Sequence, residues 1–135
     1  MSRLQITFGA LVLAQAAHSI EEYLGHLWES FPPARFLTGL VSSNAEHGFM
    51  MLNVLLLAFG AWCFVYPIGR QWPVAAALAW FWIAIEIVNG IVHPLWSLHE
   101  RSYTPGLATA PILLILAIYL AHQLLRAGQQ RSTAA

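Results

Sequence analysis

Residues 4–27 read LQITFGALVLAQAAHSIEEYLGHL. The stretch begins as a bilayer crossing would, yet closes on His18, Glu21 and Glu22. Arg3 upstream and Ala14-Gln15-Ala16 within it match the outline of a secretory signal with an A-x-A cleavage site. Helical periodicity, however, runs through that site as far as Trp28. Read as one continuous helix, the stretch is a membrane segment with ionisable groups in its outer third.

Composition agrees. Of the 135 residues, 59% are hydrophobic and only 9% charged, against about 25% charged in soluble domains. There is no Lys and no Asp; six Arg balance six Glu. That leaves no basic face for nucleic acid. A lone Cys63 in an apolar run excludes a disulfide framework and a C-x-x-C metal site. Trp28, Tyr66, Trp72, Trp96 and Tyr103 fall at the ends of apolar runs, as an interfacial belt would.

A helical crossing takes about 20 mostly apolar residues. Four stretches qualify: 4–27, 44–66, 72–94 and 105–126. FPPAR (31–35), YPIGRQWP (66–73) and HPLWSLHERSYTPG (93–106) break them with turn chemistry. The expected fold is therefore all-α: a single integral-membrane domain over 1–135, a four-transmembrane-helix antiparallel bundle with short loops. Arg3, Arg70, Arg126 and Arg131 fall on one side, Arg35 and Arg101 on the other. This bias places both termini in the cytoplasm, with a bacterial inner membrane as the expected location.

On that frame the ionisable groups share one half of the bilayer: His18, Glu21 and Glu22 from helix 1, Glu46, His47 and Asn53 from helix 2, Glu86, Asn89 and His93 from helix 3. At about 100° per residue, His18, Glu21 and Glu22 span about 100° of arc, and Glu86, Asn89 and His93 about 60°. Intramembrane ionisable groups face the bundle interior and mark functional sites. Four carboxylates cannot all ionise in such a pocket without a counter-ion, and no Arg lies at this depth. Either some glutamates are protonated or a divalent cation sits among them. Imidazole with carboxylate is a ligand set for zinc, iron or manganese, and H-x-x-E-E puts a His and a Glu one turn apart.

HSIEE (18–22), NGIVH (89–93) and YTPG (103–106) resemble, in this order, the H-x-x-E-E, N-x-x-x-H and Y-x-P-G motifs of the HXXEE-motif membrane proteins. That family is functionally uncharacterised, and the resemblance implies an integral-membrane metal-dependent enzyme. Carried over by motif, it points to His18, Glu21, Glu22, Asn89, His93, Tyr103, Pro105 and Gly106. Glu46, His47, Asn53 and Glu86 rest on helical geometry instead.

The combined expectation is a metal-dependent membrane hydrolase acting on a lipid or other amphipathic substrate. His18, Glu21, Glu22 and His93 are the expected metal ligands, and Glu22, Glu86 and Tyr103 the catalytic groups. Glu46, His47, Asn53 and Asn89 complete a polar cluster around them. The same residues also fit a metal-free acid/base isomerase or cyclase of an isoprenoid-like lipid. An ion or proton transporter is the third reading, weakened because only His122 carries ionisable chemistry into the other half of the spans.

Overall fold

Ser2 and Gln5 start the first helix reciprocally. Ser2 Oγ accepts from the Gln5 N–H at 3.2 Å, and Gln5 Oε1 accepts from the Ser2 N–H at 2.6 Å. The computed structural model describes residues 1–133, with no strand among them. In chain order come α1 (Arg3–Leu24), the single turn α2 (Leu27–Ser30), α3 (Pro32–Val41), α4 (Ala45–Cys63), α5 (Ala75–Glu100) and α6 (Ala110–Thr133). A π-turn over Phe64–Ile68 extends α4 and accommodates Pro67.

Side-chain pairings define an antiparallel bundle of four long helices. His18 near the end of α1 meets Thr109 just before α6, while Gln123 of α6 donates to Thr7 near the start of α1. Tyr23 and Ser19 of α1 meet Glu46 and Asn53 of α4 in the same head-to-tail sense. α5 runs parallel to α1: Phe8 packs edge-on against Trp82, and Glu22 meets His93. One end of the interior is apolar, filled by Phe8, Leu11, Trp82, Ile83, Leu113, Ala117 and Leu120. The other end holds His18, Glu22, Glu86 and His93, all buried.

The exterior is apolar. Val54, Leu55, Val65, Val88, Leu95, Ile115 and Ile118 all point outward. Ala45–Ile68, Ala75–Glu100 and Ala110–Gln130 are each long and apolar enough to cross a membrane, with mean hydropathies of 2.0, 1.8 and 1.6. α1 is not. Its buried stripe, Thr7, Phe8, Leu11, Gln15, His18, Ser19 and Glu22, is mostly polar and gives the helix too little apolar character. The expected four spans are thus three among the described residues, with α1 as a polar-lined fourth helix packed on α4 and α6. Because lipid competes equally for apolar surface, close approach and interhelical hydrogen bonds hold such helices together. Gly90 shows the first device: a Cβ there would lie 2.6 Å from Leu114 Cβ on α6.

Several expected boundaries move. α1 ends at Leu24 instead of 27, because Gly25 closes it and His26 turns left-handed at φ 55. FPPAR is not a break but a start: Pro32 and Pro33 take the first helical positions of α3, where no N–H is needed. α5 does not stop at Pro94. It continues to Glu100, its last turns held by the following connector through His93 to Pro105 and Ser97 to Thr104. α6 starts at Ala110 instead of 105, since Gly106 takes φ 92 and cannot be helical.

Candidate metal and proton-transfer site

H-x-x-E-E splits its two glutamates between different tasks. Glu22, one turn after His18, points into the bundle. Its Oε1 lies 3.3 Å from His18 Nε2 and 3.1 Å from His93 Nε2. All three side chains are buried, and the two imidazoles meet edge-to-face with centroids 4.7 Å apart. Their three facing atoms lie within 4.8 Å of one another.

The opposite ring nitrogens settle the tautomers. His93 Nδ1 is 2.7 Å from the Pro105 carbonyl oxygen, which can only accept, so Nδ1 carries the proton. His18 Nδ1 is 2.7 Å from Thr109 Oγ1. The Thr109 hydroxyl spends its single proton on Glu21 Oε2 at 2.5 Å, so it must accept from His18 Nδ1–H. In neutral form, both rings therefore aim an Nε2 lone pair at the same carboxylate oxygen. His18 Nε2 has no hydrogen-bond partner despite its closeness to Glu22. Three buried acceptors converging without a donor are costly. The arrangement calls for a cation or for added protons.

Glu21, about 100° further round the helix, lies outside this group. It accepts from the Ala108 and Thr109 N–H groups, both at 2.9 Å, from Thr109 Oγ1 and from the Tyr103 hydroxyl. It is the carboxylate cap of α6, placed where the helix dipole favours negative charge. Its hydrogen bond pushes the exposed Tyr103 phenol up to about 12. Tyr103 thus serves Glu21 and does not enter the triad. Gly106 closes the connector over both rings: a Cβ there would lie 2.5 Å from the His93 imidazole and 2.8 Å from His18.

Glu86, also fully buried, anchors a second polar chain. Asn53 Nδ2 donates to the Phe49 carbonyl at 3.1 Å, so its Oδ1 must accept, and Ser19 Oγ donates to it at 2.6 Å. Ser19 then accepts from Gln15 Nε2 at 3.2 Å, which turns the Gln15 oxygen toward Glu86. Rotating the Gln15 amide would let its nitrogen donate to Glu86 at 3.1 and 2.9 Å and its oxygen accept from Ser19 at 3.2 Å. That arrangement asks the one Ser19 proton to serve both Gln15 and Asn53. The chain closes without conflict when Glu86 is a carboxylic acid donating to Gln15, with Asn89 Nδ2 donating to its other oxygen at 3.3 Å.

The expected site residues therefore separate into groups. His18, Glu22 and His93 come together; Glu86, Asn89 and Asn53 form the adjoining chain; Glu21 and Tyr103 brace α6. Glu46 and His47 are exposed and stand apart, Glu46 accepting from Tyr23 at 2.7 Å and His47 donating its backbone N–H to Asn44. Their polarity serves the surface and the α4 cap. Sequence reasoning missed Gln15, Ser19 and Thr109. Gln15 and Ser19 carried a signal, since 15, 18, 19 and 22 share one helical stripe; Thr109 carried none.

The family model for proteins of unknown function with an HXXEE motif matches residues 10–120. The chain belongs to the HXXEE-motif family. In this HXXEE protein the match takes in the triad, the Glu86 chain and the connector that clamps both histidines. No curated protein and no solved structure matches the chain.

Proposed function

We propose that this HXXEE protein is an integral-membrane hydrolase that holds one divalent cation between His18, Glu22 and His93 and acts on a lipid or amphipathic substrate. The observation that carries the reading is the convergence of three buried lone-pair atoms whose tautomers are set from behind. The donor set fits: zinc bonds of about 2.0–2.2 Å place tetrahedral ligand atoms about 3.3 Å apart, near the 3.3 and 3.1 Å that separate Glu22 Oε1 from the two imidazoles, while all three atoms lie within 4.8 Å and the imidazoles would close in on a bound ion. Nitrogen and carboxylate ligands suit zinc, iron or manganese. Three protein ligands leave a position open, as catalytic sites do. A cation there would supply Lewis-acid polarisation of a substrate oxygen.

The chain's own residues supply orientation. Thr109 and the Pro105 carbonyl hold the two Nδ1–H groups, which raises the basicity of each Nε2. Glu21 holds Thr109 in turn. Among the described residues the interior around Phe8 and Trp82 is filled by apolar side chains, with the paired Thr7 and Gln123 toward its end, which weighs against ion transport. The start of α1 and the last described turns of α6 lie at that apolar end, and the reading sets this end on the cytoplasmic side on the arginine bias alone.

Elemental analysis of the detergent-purified protein tests the reading. About one equivalent of metal is expected, lost in His18→Ala and His93→Ala. Metal-free protein that neither binds nor gains thermal stability from added zinc, manganese or ferrous ion overturns it.

One observation favours a second reading. The fully buried Glu86 beside the triad also suits acid/base isomerisation or cyclisation of an isoprenoid-like lipid. A metal-free protein whose activity depends on Glu22 and Glu86 selects it.

A further inference from the structure

An open cavity of about 530 Å³ lies apart from the triad, lined by Trp28, Glu29, Arg35, Asn44, Ala45 and Glu46. It forms where α2, the start of α3 and the start of α4 meet. Trp28 gives it a rigid floor: the ring is only 5% exposed and is wedged among Tyr23, His26 and Phe49. The rim carries both signs of charge, yet they do not neutralise one another. Arg35 makes no ion pair with a described residue. Among the described residues Glu46 accepts from the Tyr23 hydroxyl, and Glu29 approaches His26 at 3.5 Å. Exposed charges of opposite sign lining one cavity without pairing are free to engage a ligand that carries both.

We propose that this cavity binds the headgroup of a membrane phospholipid bearing a primary ammonium, its phosphate on Arg35 and its ammonium between Glu29 and Glu46. The guanidinium fork suits phosphate oxygens, and two carboxylates suit a three-donor ammonium. A lipid, not a free headgroup, fits what lies beside it. Immediately after Arg35, α3 turns Phe36, Leu37, Leu40 and Val41 outward, with Phe36 66% exposed. That apolar strip lies where acyl chains would run from a headgroup seated at Arg35. The inference rests on the membrane reading of the chain and is independent of any metal at the triad.

The test is native mass spectrometry of the full chain in detergent with equal amounts of phosphatidylethanolamine and phosphatidylglycerol. The ethanolamine adduct is expected to exceed the glycerol adduct several-fold. Arg35→Ala lowers both adducts, and the Glu29→Gln/Glu46→Gln double variant removes the preference while retaining total lipid. All three positions are exposed, and unchanged thermal midpoints in detergent are the check that the variants fold. Equal adducts on the unaltered chain, or a preference unchanged in the double variant, overturn the proposal. Soluble glycerophosphoethanolamine competing as well as the intact lipid overturns the assignment to a membrane lipid. Metal content is unchanged throughout, which separates this outcome from that of the triad.

Discussion

Glu22 of α1 and His93 of α5 meet at 3.1 Å across 71 residues of chain, while Glu21, the immediate neighbour of Glu22, caps α6 instead. One helical step thus separates a residue of the buried triad from a residue that holds the fold together. Each substitution should reveal one role and spare the other.

Glu22→Gln is expected to abolish metal binding with little loss of stability, since the amide keeps the shape and removes one buried charge. Glu21→Gln should instead lower stability by about 1–2 kcal/mol, through weaker bonds to the Ala108 and Thr109 N–H groups and loss of charge at the α6 terminus. Thermal unfolding in detergent beside metal content checks the pair. Equal effects on both readouts would contradict the division of labour.

Gly106→Ala should collapse the site. The new Cβ meets both imidazoles, and φ 92 is strained for any L side chain. Gly39→Ala is the control: a Cβ there meets nothing within 4 Å on α3 and should stabilise by about 0.5–1 kcal/mol. Metal content and thermal midpoint, measured on both, are expected to fall together only in Gly106→Ala.

Glu86→Gln should be tolerated within about 1 kcal/mol, whereas Glu86→Ala opens a buried cavity and removes the carboxyl that Gln15 and Asn89 face, leaving them Ser19 and each other, and costs about 1–3 kcal/mol. Infrared difference spectra should show a protonated carboxyl band that Glu86→Gln removes. A native spectrum without that band, in a protein that tolerates the substitution poorly, contradicts a neutral Glu86.

Tyr103 contributes to stability in a definite pH window. Its raised folded-state value, about 12 through the bond to Glu21, lies above the ordinary value near 10. The neutral phenol is thus favoured by folding; its contribution is complete below about pH 10 and is lost as pH rises toward 12. The difference in stability between the unaltered chain and Tyr103→Phe should shrink across that window. A constant difference from pH 9 to 12 would place the contribution elsewhere. Metal content in Tyr103→Phe should be unchanged, because the phenol reaches Glu21 and not the triad.

Much was legible in the chain itself. Apolar runs broken by Pro and Gly specify long helices, and the polar stripe of α1 is written in its periodicity. His18, Glu22 and His93 were legible as well, because buried ionisable residues in apolar helices have few reasons to exist. Glu21 was misassigned because H-x-x-E-E contains two chemically identical carboxylates. Only the connector's position, with two N–H groups at 2.9 Å, tells them apart. Glu46 and His47 looked like part of the cluster because depth along a helix is readable, but rotation about its axis near a capped end is not.

Local sequence, then, determined the elements and the chemistry available: helix length, breaks, and a His/Glu inventory on defined faces, all governed by interactions a few residues apart. Tertiary structure decided which groups act together. The tautomers of His18 and His93 depend on Thr109 and Pro105, 91 and 12 residues away. The orientation of Asn53, and with it the hydrogen-bond chain through Ser19 and Gln15 toward Glu86, depends on a backbone carbonyl on α4. The direction of each of these hydrogen bonds is set by a partner that only folding brings within reach.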